Sequence, residues 1–246
     1  MTIPVHTGDI PYLTTSQMIE VDRAMMEDFR IDLIRMMENA GRALAHLARF
    51  RFLGGDPRGK KVVVLAGTGG NGGGALVSTR RLHNWGARVK VYVTSPDEKF
   101  TPVPAHQLDI LRRMNIPIHP GEAVAGDDPA DLVLDGLIGY SLQGAPTGTA
   151  GKLIRWANAQ NAPVLSLDAP SGVDTTTGTV FDPAVRATAT MTLALPKEGL
   201  RAPGVKANVG ELYLADISVP PSLYAGPTLG LEAGHLFARS DIIRLP

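Results

Sequence analysis

Three short segments of this sequence carry residues whose type and spacing could do chemistry. Lys61 to Leu82 (KVVVLAGTGGNGGGALVSTRRL) passes from an apolar run, Val62 to Leu65, through Gly67, Gly69, Gly70, Gly72, Gly73 and Gly74 into a helix-compatible stretch. Asp135 and Asp168 each close an apolar run, DLVLD and PVLSLD, and lead into the polar loops DGLIGYSLQGA (Asp135 to Ala145) and DAPSGVD (Asp168 to Asp174). A glycine-rich turn opening a helix leaves backbone N–H groups free to meet an anion, most often phosphate. One glycine suffices for a tight turn, so a run of them favours an anion nest over a plain connection. An acid at a strand end often does no more than cap the next turn, but two on neighbouring parallel strands would approach each other and the glycine loop. Asn71, Asp135 and Ser171 offer only oxygen, which suits a hard cation and not zinc.

Other readings of the same residues fall away. Gly67-x-Gly69-x-x-Gly72 has the letters of a dinucleotide fingerprint, yet the acid that should follow at the end of the next strand is missing, where the chain reads Tyr92-Val93-Thr94. No Lys followed by Ser or Thr closes the glycine run, so it is not a P-loop. Neither Ser141 nor Ser171 lies in G-x-S-x-G, which leaves a serine hydrolase unsupported.

Composition narrows the class further. The 246 residues carry 24 basic and 24 acidic side chains, so no general electrostatic field favours nucleic acid or an anionic membrane. The absence of cysteine excludes disulfides, thiolate nucleophiles and cysteine-based metal sites. The six histidines show no ligand spacing. No signal peptide and no membrane-length apolar stretch is evident, so a cytoplasmic protein is expected.

Several elements must hold these loops. Thr14 with Gln17 has the form of a capping box for a helix bearing Met18, Val21 and Met25, after an arm over 1–12. A second helix from about Asp32 aligns Leu33, Met37, Ala40, Leu44 and Leu47. These methionine-rich stripes read as core or subunit contact. Strands are expected at Val62 to Leu65, Arg88 to Val93, Ile116 to Ile118, Asp131 to Asp135, Pro163 to Asp168, Thr188 to Leu195 and Glu211 to Ile217, with a helix through Leu108, Leu111 and Met114 after a proline-rich connection at Pro96, Pro102 and Pro104. Apolar strands alternating with helices predict an α/β fold: a Rossmann-like, doubly wound, mainly parallel sheet with helices on both faces, in one domain over 1–246, with the tail 221–246 wrapping the surface. In such a fold, ligands sit beyond the carboxyl ends of the strands where strand order reverses.

Taken in order and spacing, Met37-Glu38-Asn39-Ala40-Gly41, the Gly67 to Gly73 loop, Asp135-Gly136-Leu137-Ile138-Gly139, Asp168 to Asp174 and Leu195-Pro196-Lys197 resemble the NAD(P)H-hydrate epimerase family, the YjeF N-terminal domain, from about Leu13 to Pro220. The resemblance implies a homodimer that interconverts the R and S forms of hydrated NADH and NADPH (NADHX and NADPHX), so that a separate dehydratase can repair them. It makes Asn71, Asp135 and Ser171 potassium ligands. It makes Gly70, Asn71, Gly72, Gly73 and Gly74, together with Gly139, Tyr140, Ser141, Leu142, Gln143, Gly144 and Ala145, substrate contacts, and Asp168 a substrate-contacting carboxylate, here expected as the acid/base group. Gly74 stands where the family usually has Asp, and Gln143 where it often has Lys. A second reading follows from those two positions: a nucleotide-binding or scaffold member with weakened catalysis.

Overall fold

The structure, a computed structural model, describes residues 3–124, 126 and 129–246; Met1 and Thr2 of the expected arm lie outside the described residues. Helix α1, Thr15–Glu27, starts where Thr14 and Gln17 close the expected capping box: the Thr14 N–H donates to Gln17 Oε1 at 2.9 Å and the Gln17 N–H to Thr14 Oγ1 at 3.3 Å. Helix α2, Leu33–Leu47, follows from Asp32 as N-cap. The chain then runs through β1 Lys61–Ala66, α3 Gly70–Asn84, β2 Arg88–Val93, α4 Pro102–Arg113, β3 Ile118–Pro120, β4 Leu132–Gly136, α5 Gly148–Ala159, β5 Val164–Leu167, β6 Ala189–Leu193, α6 Lys206–Val209, β7 Glu211–Ala215, α7 Pro221–Tyr224 and β8 Ile242–Arg244.

The strands form one sheet in the order β3-β2-β1-β4-β5-β6-β7-β8, parallel throughout except for the last pair. Strand order reverses between β1 and β4, which pair from Val62 opposite Leu132 to Ala66 opposite Gly136. β1 shows why a buried parallel strand reads as an unbroken apolar run: Val62, Val64 and Ala66 enter the core with α2, α3 and α4, while Val63 and Leu65 enter the one on α5. A further cluster joins Met18, Val21 and Met25 of α1 to Met36 and Ala40 of α2 and to Leu195 and Ile217 beyond the sheet. The methionine stripes are therefore partly core, as expected. Among the described residues no helix is long and apolar enough to cross a membrane.

The structure departs from the expected elements in four places. The strand expected at Ile116 to Ile118 begins two residues later, because Asn115 adopts φ 56° and the Ile116 N–H closes the end of α4 on the Leu111 carbonyl. Pro102 and Pro104 lie in the first turn of α4 rather than in a loop, where a missing N–H costs no helical hydrogen bond. The tail does more than wrap the surface: β8 pairs antiparallel with β7, Ile242 opposite Ala215. The arm is fixed to that strand, with His6 N–H on the Arg244 carbonyl and Arg244 N–H on the Pro4 carbonyl, both at 2.8 Å.

α2 lies against α3 through Gly41. A Cβ built there would sit 2.4 Å from Val77 Cβ and 2.6 Å from the Gly74 carbonyl, too close for either to yield by a rotamer change. Gly41→Ala gains up to about 1 kcal/mol of helix propensity but forces the helices apart, and overpacking of this kind costs about 1–3 kcal/mol or more. A lower urea midpoint at unchanged m-value is the expected result, and an equal or higher midpoint would show that the crossing is not tight.

Candidate active site at the strand-order reversal

The loops after β1, β4 and β5 open into a cavity of about 470 Å³, walled on its other side by α1 and α2. Of the residues expected at the site, Gly70, Asn71, Gly139, Tyr140, Ser141 and Asp168 line it. Gly72, Gly73 and Gly74 do not: they lie buried in α3, where added Cβ atoms would meet the Gly67 carbonyl at 1.9 Å, Met37 Sδ at 2.5 Å and Leu167 Cδ2 at 2.7 Å. Leu142, Gln143, Gly144 and Ala145 fall outside the lining, with Gln143 and Ala145 exposed. The structure thus brings the front of each loop to the cavity and turns the rest into packing or surface. The first N–H groups of α3 have no intrahelical carbonyl, so its N-terminus at Gly70 and Asn71 presents positive potential to the cavity.

Asp168 sits at the floor. It follows the last residue of β5, and its φ of 65° turns the side chain out of the sheet, a conformation that persists only where surrounding contacts enforce it. Those contacts are visible. Its N–H donates to the Met191 carbonyl at 2.7 Å, its Oδ2 accepts from the Tyr140 N–H at 3.2 Å, and its Oδ1 accepts from Lys197 Nζ at 2.5 Å. Lys197 is completely buried, and its ammonium also donates to the Leu193 carbonyl at 2.8 Å and to Thr192 Oγ1 at 3.2 Å. All three ammonium hydrogens are therefore used. The Leu195-Pro196-Lys197 segment was marked in the sequence by content alone; a lysine two residues after an apolar strand gave no sign that it would fold back beneath Asp168.

Asp135 is fully buried and bonds otherwise. Its Oδ1 accepts from Ser171 Oγ at 2.6 Å and the Leu137 N–H at 3.2 Å; its Oδ2 accepts from Ser166 Oγ at 2.8 Å and the Ser171 N–H at 2.9 Å. Burial pushes its carboxyl up, against the pull of those hydrogen bonds, and no basic side chain among the described residues pairs with it. Ser171 Oγ, with its proton on Asp135, also accepts from the Ile138 N–H at 2.9 Å. Asn71 supplies an orphan: its amide Nδ2 is buried without a partner. A ligand oxygen satisfies it in this orientation, and a cation satisfies it with the amide turned over. One carboxylate with neutral oxygens fits a hard, weakly charged cation. No group of three His, Cys, Asp or Glu side chains gathers as a metal site among the described residues.

Sequence reasoning also missed Asp22. It lies on the cavity face of α1 between Met18 and Met26, four residues to either side, and the Tyr140 hydroxyl donates to its Oδ2 at 2.5 Å. Burial pushes the Asp22 carboxyl up, although the Tyr140 hydrogen bond and Lys197 oppose this. Burial and the adjacent Asp22 carboxylate likewise raise Tyr140. An acid spaced i, i+4 from methionines was the available signal. Contacts that hold α1 in place include Leu13 N–H on the Pro196 carbonyl at 2.8 Å and Thr15 Oγ1 with Thr175 Oγ1 at 3.0 Å.

The chain is similar to known proteins in sequence and in fold. The chain is 44% identical over 213 residues to the NAD(P)H-hydrate epimerase of Dehalogenimonas lykanthroporepellens, covering 86% of this chain and 84% of that one. It is 34% identical over 217 residues to the NAD(P)H-hydrate epimerase of Rhodopirellula baltica, covering 87% of each. The bifunctional NAD(P)H-hydrate repair enzyme Nnr of Salinibacter ruber is 34% identical over 225 residues, which is 86% of this chain but 41% of that longer protein. In three dimensions, the crystal structure of yeast ynu0 (YNL200c) superposes with a TM-score of 0.80 over 96% of this chain and 100% of its own; at 22% identity this speaks for the fold. A family model, YjeF-related protein N-terminus, matches residues 33–199, the span that holds α2, the glycine loop, Asp135, Asp168 and Lys197, and the chain belongs to that family.

Proposed function

We propose that this chain epimerises hydrated NADH and NADPH, interconverting the R and S forms of NAD(P)HX in nicotinamide nucleotide repair. The observation that carries the proposal is Asp168, a carboxylate held on the cavity floor by Lys197, beside the open N-terminus of α3. The reacting carbon, C6 of the nicotinamide ring, is a hemiaminal bearing a hydroxyl next to nitrogen. Its inversion by loss and return of water, or by ring opening and closure, needs an acid/base group at that hydroxyl. Asp168 takes that role. Its ion pair fixes the carboxylate's direction, and the methionine wall of α1 and α2 excludes water around the ring. The α3 N-terminus faces the substrate's phosphates.

Potassium is the proposed cofactor, held by Asn71, Asp135 and Ser171. When bound it supplies positive charge that balances the buried Asp135 carboxylate and an anionic substrate. A homodimer is the proposed assembly, supported by the exposed Ile19 and Met26 of α1 and Phe29 just beyond it; sedimentation equilibrium giving the mass of one chain would remove it. A separate dehydratase is the proposed functional partner, in keeping with the names of the bifunctional relatives. The alternative of a binding member with weakened catalysis rested on Gly74 and Gln143. Gly74 is packed beneath Leu167 and Gln143 lies off the cavity lining, whereas Asp168 and Lys197 are both in place.

Three outcomes are expected. Added to freshly separated R epimer, the protein accelerates conversion to S above the buffer rate, more in potassium than in sodium salt. No acceleration at high protein concentration, followed by chromatography, would remove the proposal. Asp168→Asn lowers kcat by about 10²–10⁴-fold, the usual contribution of a positioned acid or base. Lys197→Met also lowers it and in addition destabilises the fold by about 3–5 kcal/mol, because it leaves a buried carboxylate unpaired. A Lys197→Met protein with full activity would show that Asp168 needs no clamp.

A further inference from the structure

Under the epimerase reading, on which the following rests, one acid/base group is not enough if inversion proceeds by loss and return of water. The C6–O bond breaks on one face of the ring and forms on the other. In the first half, a proton from an acid passes to the leaving hydroxyl, the C6–O electron pair departs with it as water, and the ring-nitrogen lone pair forms a C=N bond. In the second, water adds to the opposite face, a base takes its proton, and the C=N electrons return to nitrogen. Proton donor and acceptor therefore belong on different walls, with one proton shared between them.

The cavity contains a second carboxyl on a different wall. Asp22 projects from α1, whereas Asp168 rises from the end of β5, and both line the same cavity. Asp22 Oδ2 is fixed by the Tyr140 hydroxyl at 2.5 Å, and Tyr140 belongs to the loop whose N–H holds Asp168 Oδ2 at 3.2 Å. One residue therefore contacts both carboxyls, alongside the Lys197 ion pair that fixes Asp168. We propose that Asp22 is the second catalytic acid/base residue of the site, working across the ring from Asp168, with Tyr140 as the positioning residue of the pair.

The charges agree with a single shared proton. Asp168 is paired with Lys197. Asp22 has no ammonium of its own, and burial pushes its carboxyl up; facing it are Tyr140, Lys197, Asp168 and, from α7, Tyr224. Of these, the Tyr140 hydrogen bond favours the ionised carboxylate, as does Lys197, while the Asp168 charge favours the protonated form.

The test is the steady-state epimerisation rate against pH for wild type, Asp22→Asn and Tyr140→Phe, with NADP affinity of each by calorimetry. The expected result is a fall in kcat of about 10²-fold or more for Asp22→Asn, with NADP affinity within threefold of wild type. For Tyr140→Phe the fall is about tenfold, and the alkaline limb of the profile moves to higher pH, because the hydrogen bond that favours ionised Asp22 is gone. A wild type that does not epimerise removes the functional proposal itself. An active wild type with an Asp22→Asn kcat within threefold of it, or an Asp22→Asn effect confined to KM and NADP affinity, overturns the role of Asp22. An unmoved alkaline limb in Tyr140→Phe overturns it equally, even where Asp22→Asn proves unstable.

Discussion

The arrangement of this site depends on where a buried ammonium can find partners. Lys197 has no exposure, so each of its hydrogens must be taken up within the protein, and the acceptors come from three directions: the Asp168 carboxylate, the Thr192 hydroxyl and the Leu193 carbonyl. Meeting them bends the chain. Ala194 takes φ 63° directly after β6, and Asp168 takes φ 65° directly after β5. The same segment pairs with Leu13, two residues before α1, through the Pro196 carbonyl and the Glu198 N–H. One charge thus fixes the ends of two strands and the starting point of the helix that carries Asp22. Such a pair is weak evidence for net stability, because desolvation offsets much of the attraction. Its consequence here is positional: a carboxylate with one defined direction at the floor of the cavity.

The glycine run divides its work between packing and ligand access. Gly72 lies where a side chain would strike the Gly67 carbonyl, so the loop can close tightly only without one, while Gly70 faces open space. The packed side of α3 draws α2 and β5 close, and its open end is left to the cavity. These two demands are coupled, since an α3 held further out by side chains would carry Asn71 away from Gly139. Asn71 Oδ1 is 3.3 Å from the place a Cβ would occupy on Gly139, and Asp168 Oδ2 is 3.1 Å from it. The bare backbone of Gly139 is what allows the amide and the carboxylate to converge.

The mainly parallel sheet and the three strand-end loops were legible because they rest on local signals: apolar runs of strand length, glycines at turns, and acids at run ends. What was not legible depends on long-range return of the chain. Lys197 meets Asp168 from 29 positions away and Tyr140 meets Asp22 from 118, and neither distance leaves a periodic trace. The methionines of α1 and α2 were read as core or subunit contact because periodicity identifies an apolar face without saying whether it meets protein or a cavity; Met18, Met36 and Met37 do both. β8 escaped notice because three residues cannot display an alternation, and its pairing with β7 and the arm is set by tertiary contact. The family resemblance supplied loops, and the fold decided which part of each loop reaches the cavity.

Positions 74 and 143, where the resemblance implies an acid and a lysine, contribute no side chain to the cavity: Gly74 is buried in α3 and Gln143 lies off the lining. Asp168 and Lys197 cancel each other within the floor, so the remaining formal charge in the inner cavity is that of Asp22. A dinucleotide brings negative phosphates. Under the proposed function, negative charge brought near Asp22 favours its protonated form. A side chain at position 74 would need space already filled by Leu167 Cδ2. Under the proposed function, the α3 N-terminus and the proposed cation are the positive features available to the phosphates beyond Arg23 at the rim. In this chain, phosphate binding under the proposed function therefore relies on backbone N–H groups and a bound ion more than on a lysine side chain.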